Sequence, residues 1–283
     1  MGTRIMGVVN VTPDSFSDGG LWYDPHIAVA HGRQLLDQGA DLIDVGGEST
    51  RPGAQRVPED VEASRVLPVV SELVATGGQV SVDTMRASVA EAALDAGAWG
   101  VNDVSGGLAD SRMAALVAER GCDVVLGHWR GPSAVMDTLS DYTDVVAQVR
   151  SELLSRVEAM TAAGVSPDRI VLDPGLGFAK DERANWQVLA RLDALTHTGL
   201  RVLVGASRKR FLGTLLAQEG EPALPMYRDA ATAAITTLVA AQGVWGVRVH
   251  EVSASVDAVR VVAAVRAART GETGHAGYLD HGR

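Results

Sequence analysis

One cysteine, Cys122, stands in 283 residues, so neither an intrachain disulfide nor a cysteine metal cluster can form, and a reducing compartment is the expected setting. Positive charge is also scarce. Lys and Arg number 25 against 35 Asp and Glu, a formal net charge of -10, which argues against bulk binding to nucleic acid or to an anionic membrane by counterion release. No apolar run approaches the roughly 18 residues of a membrane-crossing helix. The opening residues 1–9 offer too short an apolar stretch for a secretion leader, and a cytoplasmic location is expected. No GxGxxG follows the first apolar run, where Asn10-Val11-Thr12-Pro13-Asp14 stands instead, which disfavours an open dinucleotide-binding sheet. HExxH, an EF-hand loop and clustered histidines are all missing, so a metal cage made by protein alone is not expected.

What is present is a repeat of alternating periods. Apolar residues make up 46% of the chain and charged residues 21%, the balance of a globular protein. Short β-branched runs are expected as strands at Ile5 to Val9, Leu42 to Val45, Gln79 to Val82, Trp99 to Val101, Asp123 to Leu126, Ile170 to Leu172, Val202 to Val204 and Gly246 to Val249. Gly39, Gly77, Gly97, Gly121, Gly164, Gly199 and Gly243 precede the later runs, as expected of residues that end helices in the left-handed conformation. Between the runs the period becomes helical, as in Val66, Val69, Val70, Leu73 and Val74, and again in Val146, Val149, Leu153, Val157 and Met160. Pro68 is expected to kink or restart the first of these helices. Eight βα units in this length predict a single α/β domain over residues 1–270, a closed (β/α)8 TIM barrel, with 271–283 as a tail.

Each apolar run ends in a polar residue: Asn10, Asp44 with Glu48, Asp83, Asn102, His128, Asp173, Ser207 with Lys209, then Arg248 and His250. Singly, each could be a turn residue or a cap; together, in a barrel, they converge on one mouth. The segment Gly205 to Gly213 places Arg208, Lys209 and Arg210 at an expected helix start, and an anion is expected there. Lys209 and Lys180 are the only lysines, so in a chain that otherwise uses arginine, Lys209 points to a need for a compact ammonium donor. Asp173, Asn102 and Asp83 can pair with a flat heterocycle carrying amino, NH and oxo groups. A Mg²⁺ shared with substrate phosphates needs only one or two protein oxygens. The loops Val11 to Tyr23 and Gly46 to Val57 are expected to act as mobile lids. Cys122 reads as inert core, and His26, His31, His197, His275 and His281 as surface or tail residues without a role.

These residues carry a resemblance. Ile5 to Gly20, reading IMGVVNVTPDSFSDGG, and Gly39 to Pro52, reading GADLIDVGGESTRP, are similar to the two signatures of the dihydropteroate synthases, the pterin-binding folate-pathway enzymes targeted by sulfonamides. Supporting similarity runs through Ser81 to Thr84, Val101 to Gly107, Asp173 to Phe178, Gly205 to Lys209 and Val247 to His250, and spans residues 4–268. Departures fall at Gly127 and Trp129, Gly131 to Ser140, Gln218 to Tyr227 and the tail.

The resemblance implies condensation of 6-hydroxymethyl-7,8-dihydropterin diphosphate with 4-aminobenzoate, with Mg²⁺ as cofactor and a homodimer as the assembly. It implies that Asp83, Asn102, Asp173 and Lys209 hold the pterin and that Arg248, His250 and Asn10 serve the diphosphate, Asn10 through the metal, with Thr50 at the same end. Ser207 would meet the aminobenzoate carboxylate, Arg51, Pro52 and Phe178 would frame its ring, and Asp18 would approach the reacting centre beside Lys209 and Arg248. A methyltetrahydrofolate-dependent methyltransferase and a noncatalytic pterin-binding paralogue are the competing readings.

Overall fold

The computed structural model describes residues 2–12, 24–51 and 53–270. Eight parallel strands close in sequence order into a barrel: β1 (Arg4–Asn10), β2 (Leu42–Gly46), β3 (Val80–Asp83), β4 (Gly100–Asp103), β5 (Asp123–Gly127), β6 (Ile170–Asp173), β7 (Arg201–Val204) and β8 (Gly246–Val249). The connecting helices are α1 (Pro25–Asp37), α2 (Glu59–Ala75), α3 (Ala87–Asp95), α4 (Met113–Arg120), α5 (Val145–Ala162), α6 (Glu182–Ala190), α7 (Asp193–Thr196), α8 (Arg210–Leu215), α9 (Asp229–Ala241) and α10 (Ser253–Thr270). All eight expected strands are present, and all seven helix-ending glycines have positive φ.

Three helices start on carboxylates that accept from their first-turn amides, Asp24 before α1, Asp144 before α5 and Asp181 before α6. The helix expected to kink or restart at Pro68 does not restart there. α2 runs through Pro68 as one element, held along Val66, Val69, Val70 and Leu73, all buried against the barrel, and this packing offsets the missing backbone donor.

The runs that look uniformly apolar conceal an alternation, because each strand has one face toward the helices and one toward the lumen. Ile43, Val45, Val124, Leu126, Ile170, Leu172, Val202 and Val204 join the large core under the helices. Met6, Leu42, Val125, Val171 and Leu203 form a separate lumen core, closed below by Trp99 and Trp245, whose rings stack at 6.0 Å. Two residues farther along the same faces the lumen turns polar at Asp44, which follows Leu42, and at Asp173, which follows Val171, while Gly205 after Leu203 leaves room beside them. A dry floor thus supports a charged layer at the carboxyl ends of the strands.

Six strands reach one or two residues past the ends that the apolar pattern marks, and four of them thereby take in Asn10, Asp83, Asn102 and Asp173. Those side chains are therefore fixed by the ladder itself, in which Asp83 pairs with both Gly46 and Asn102, and Asp173 with Gly127.

Candidate active site

Asp44 organises the centre of this layer. It is 0% exposed and accepts from Ser81 Oγ at 2.6 Å, Asn102 Nδ2 at 2.8 Å and Arg248 Nε at 2.7 Å. Arg248 donates from Nη2 to Asp83 Oδ2 at 2.9 Å, so one guanidinium joins carboxylates from β2 and β3 across the lumen. Burial pushes the Asp83 carboxyl up to about 7 against the pull of Arg248, with Asp44 adding repulsion. Burial also works against charge on Arg248, but Asp44 and Asp83 hold its guanidinium above the ordinary value.

Asp173, Lys209 and Arg248 meet at one point. A methyl group placed on Gly205 would stand 3.7 Å from Asp173 Oδ2, 3.8 Å from Lys209 Nζ and 3.9 Å from Arg248 Cβ. Lys209 donates to the Leu176 carbonyl and lies 4.8 Å from the centroid of Phe178. Burial lowers its ammonium to about 8, while Asp173 opposes the shift, leaving it largely charged at neutral pH. The Asp173 carboxylate is aimed by the Gly175 amide, which donates to Oδ1 at 2.7 Å. On the rim, His250 and Ser207 are joined through the His250 amide at 3.1 Å and Nδ1 at 3.0 Å. Burial and then the charges of Arg208, Arg248 and Lys209 hold His250 well below the usual imidazole range, hence neutral.

Several expectations need correction. Arg208 and Arg210 do not join Lys209 in an anion cradle: Arg208 makes a two-pronged pair with Asp229 at 2.8 Å, and Arg210 reaches Asp137 at 3.3 Å. The left-handed backbone at Arg208, φ 58°, swings that side chain toward α9. Glu48 and His128 also leave the common floor, Glu48 for Arg56, Arg86 and the Val57 amide, each at 3.0 Å, and His128 for Lys180 and Glu152. Ser133 joins the 46–57 loop to the loop after β5, its carbonyl accepting from the Gly53 amide at 2.9 Å and its hydroxyl donating to the Thr50 carbonyl at 3.1 Å. Thr50 and Arg51 stand in this loop beyond β2. Asp18, Pro52, most of the 11–23 loop and the tail lie outside the described residues. His31 is half-buried, and burial followed by the charge of Arg208 lowers its imidazole to about 4, unlike a free surface histidine. Cys122 is buried, with its thiol pushed up to about 11, as inert core requires.

Asn10 Oδ1 and Asp83 Oδ2 each lie 3.6 Å from the point a Cβ on Gly46 would occupy, a hard-oxygen corner suited to one or two bonds to a divalent cation. Among the described residues no group of three or more His, Cys, Asp or Glu forms a cage, so phosphate and water would complete the shell of any such ion. A surface cleft of about 580 Å³ between α5 and α6, lined by Tyr142, Asp181 and Arg183, contains none of these residues.

The layer interleaves acceptors from Asp83, Asn102 and Asp173 with donors from Lys209 and Arg248, an arrangement suited to a flat ring of mixed polarity beside an anion. Residues 6–250 match the family model of the pterin binding enzymes. The chain belongs to that family. Dihydropteroate synthase from Mycobacterium leprae is 56% identical over 261 residues, covering 92% of each chain. The Xanthomonas albilineans dihydropteroate synthase solved with 4-aminobenzoic acid has a TM-score of 0.86 at 45% identity, covering 94% of both chains. The same enzyme in complex with 7,8-dihydropteroate gives a TM-score of 0.82 at 43% identity, again over 94% of both. By these relatives the chain is a transferase of the dihydropteroate synthase type.

Asp44 and Lys180 are the functional neighbours that sequence reading left without a role. Asp44 was visible as a strand-end carboxylate, and its position two residues beyond Leu42 is the signal that it faces the lumen. Lys180 was visible only as the second of two lysines.

Proposed function

We propose that this protein joins 6-hydroxymethyl-7,8-dihydropterin diphosphate to 4-aminobenzoate, forming 7,8-dihydropteroate and pyrophosphate. The observation carrying this reading is the meeting of Asp173, Lys209 and Arg248 around Gly205, above the Asp44–Asn102–Asp83 layer, in a chain so similar to dihydropteroate synthases. Asp173 faces the pterin amino and ring NH groups, Asp83 and Asn102 take the same ring, and Lys209 donates to its acceptor edge. Arg248 uses Nε and Nη2 within the protein and has Nη1 left for the diphosphate, with His250 beside it. Ser207 receives the aminobenzoate carboxylate, and Arg51 and Phe178 frame the ring, with Thr50 near the diphosphate end; the resemblance would add Pro52 to that frame and Asp18 to the reacting centre.

Asn10 would hold magnesium, which when bound with the diphosphate supplies charge neutralisation for the leaving group. An aryl amine is a weak nucleophile that needs no prior deprotonation, so the barrier lies in cleaving the carbon–oxygen bond. Lys209 and Arg248 are placed to stabilise the oxygen charge that develops as pyrophosphate leaves with the bonding electrons. The Asp83 and Asp173 carboxylates favour the cationic character left on the pterin methylene. The amine nitrogen then bonds to that carbon and releases its proton. Pyrophosphate is expected to appear in enzyme excess without 4-aminobenzoate, and complete dependence on the amine would refute this order. Absence of magnesium-dependent pyrophosphate release with both substrates present would refute the function.

Residues 1–270 are proposed as the catalytic domain, acting in the cytoplasm. Among the described residues no helix is long and apolar enough to cross a membrane. α9 buries Ile235 and Val239 inward and exposes Leu238 at 64%, beside exposed Val261 and Val265 of α10, a surface suited to a second copy of the chain.

A further inference from the structure

The chain's two lysines grip one loop from opposite sides. Lys209 donates from the mouth to the Leu176 carbonyl. From behind, Lys180, 4% exposed, donates to the Gly175 carbonyl at 3.1 Å and the Phe178 carbonyl at 3.1 Å, and contacts His128 Nδ1 at 2.8 Å. The proton assignment follows from the outermost partner. Its hydrogen bond with His128 and then the Arg130 contacts hold the Glu152 carboxyl near 2, so Glu152 only accepts, and His128 must donate to it from Nε2 at 2.9 Å. Burial and Lys180 lower the His128 imidazole to about 4, so Nδ1 is bare and accepts. Three acceptors therefore surround Lys180 Nζ, and only an ammonium supplies three donors. Although burial pulls that ammonium down to about 7, this geometry favours its charged form.

The gripped residues carry the site. Gly175, whose carbonyl Lys180 holds, aims Asp173 through the amide on the other side of its Cα, and Phe178 presents its ring to Lys209. Gly175 sits at φ 64° with no room for a Cβ against the His128 carbonyl, so the loop is closely backed by β5. We propose that Lys180 is a positioning residue for the reaction, setting the Asp173 carboxylate and the Phe178 ring against Lys209 by fixing the two carbonyls behind the loop. This rests on the functional reading above, and it concerns a residue that touches neither substrate.

The test uses the full chain with Lys180→Met, which keeps the length without donors, and Lys180→Gln, which can still donate to two acceptors. Relative to wild type, KM for 4-aminobenzoate is expected to rise about tenfold in Lys180→Met and about threefold in Lys180→Gln, with a smaller fall in kcat. Hydrogen exchange across residues 174–179 is expected to quicken in the same order. A purely structural lysine would lower the melting temperature while leaving KM and kcat at wild-type values, and that result overturns the proposal. If Lys180→Met does not fold, wild-type KM in Lys180→Gln overturns it equally. Exchange is independent of turnover, so unchanged exchange refutes the loop grip in an active or inactive enzyme. A wild-type protein that makes no dihydropteroate instead refutes the functional reading.

Discussion

Replacing Asp44 by Asn keeps the side-chain volume and removes the charge that joins β2, β3, β4 and β8. The carboxylate is fully buried and accepts three hydrogen bonds of 2.6 to 2.8 Å, from Ser81, Asn102 and Arg248. An amide has one acceptor oxygen, so at least one of these donors must face its NH2 group. Breaking a buried charged pair costs about 3–5 kcal/mol. Arg248 keeps Asp83 at 2.9 Å, which places the expected loss at the lower end, about 3 kcal/mol. For a chain of this size that lowers the melting temperature by roughly 6–10 °C. Activity is expected to suffer more than stability, because Asn102 and Arg248 lose their common anchor and a displacement near 1 Å can cost about 100-fold in rate. Calorimetric melting beside kcat/KM for the pterin diphosphate measures both. An Asp44→Asn protein that melts within about 2 °C of wild type and turns over normally would show that Asp44 neither holds Arg248 nor orients Asn102. Ser81→Ala, which removes one neutral donor, is the graded control at about 1 kcal/mol.

Lys209→Ala is expected to retain the fold and lose turnover, with Lys209→Arg recovering little, because the compact ammonium sits between Gly177 and Gly205 where a guanidinium is crowded; wild-type rates in either variant would remove Lys209 from the site. His128 is neutral in the fold, its imidazole lowered from 6.5 to about 4, so its contribution is present above pH 6.5 and lost as pH falls through 4. That displacement corresponds to roughly 3 kcal/mol. Denaturant unfolding at pH 7 and pH 4.5 should show His128→Gln losing less stability on acidification than wild type, and equal losses would refute the assignment. Light scattering at micromolar concentration should report a dimer, with Leu238→Glu shifting it toward monomer; a monomeric wild type would leave α9 and α10 uncovered and end that proposal.

The amino-acid sequence by itself determined the eight-fold alternation, the helix-ending glycines and the polar residue at the end of each strand, because those depend on local periodicity and backbone preference. From them the barrel and the shared mouth follow, and Asp83, Asn102, Asp173, Lys209 and Arg248 could be read as one set. Only the tertiary structure decided which charges face the lumen. Arg208 and Arg210 adjoin Lys209 in the chain, yet pair with Asp229 and Asp137, since side-chain direction depends on the backbone turn at Arg208 and on carboxylates contributed by distant segments. His128 follows directly on a strand but turns to Lys180 and Glu152, because the lumen face at the end of β5 belongs to Gly127. Asp44 acquires its weight from partners 37, 58 and 204 residues away, and no local pattern encodes hydrogen bonds at that separation.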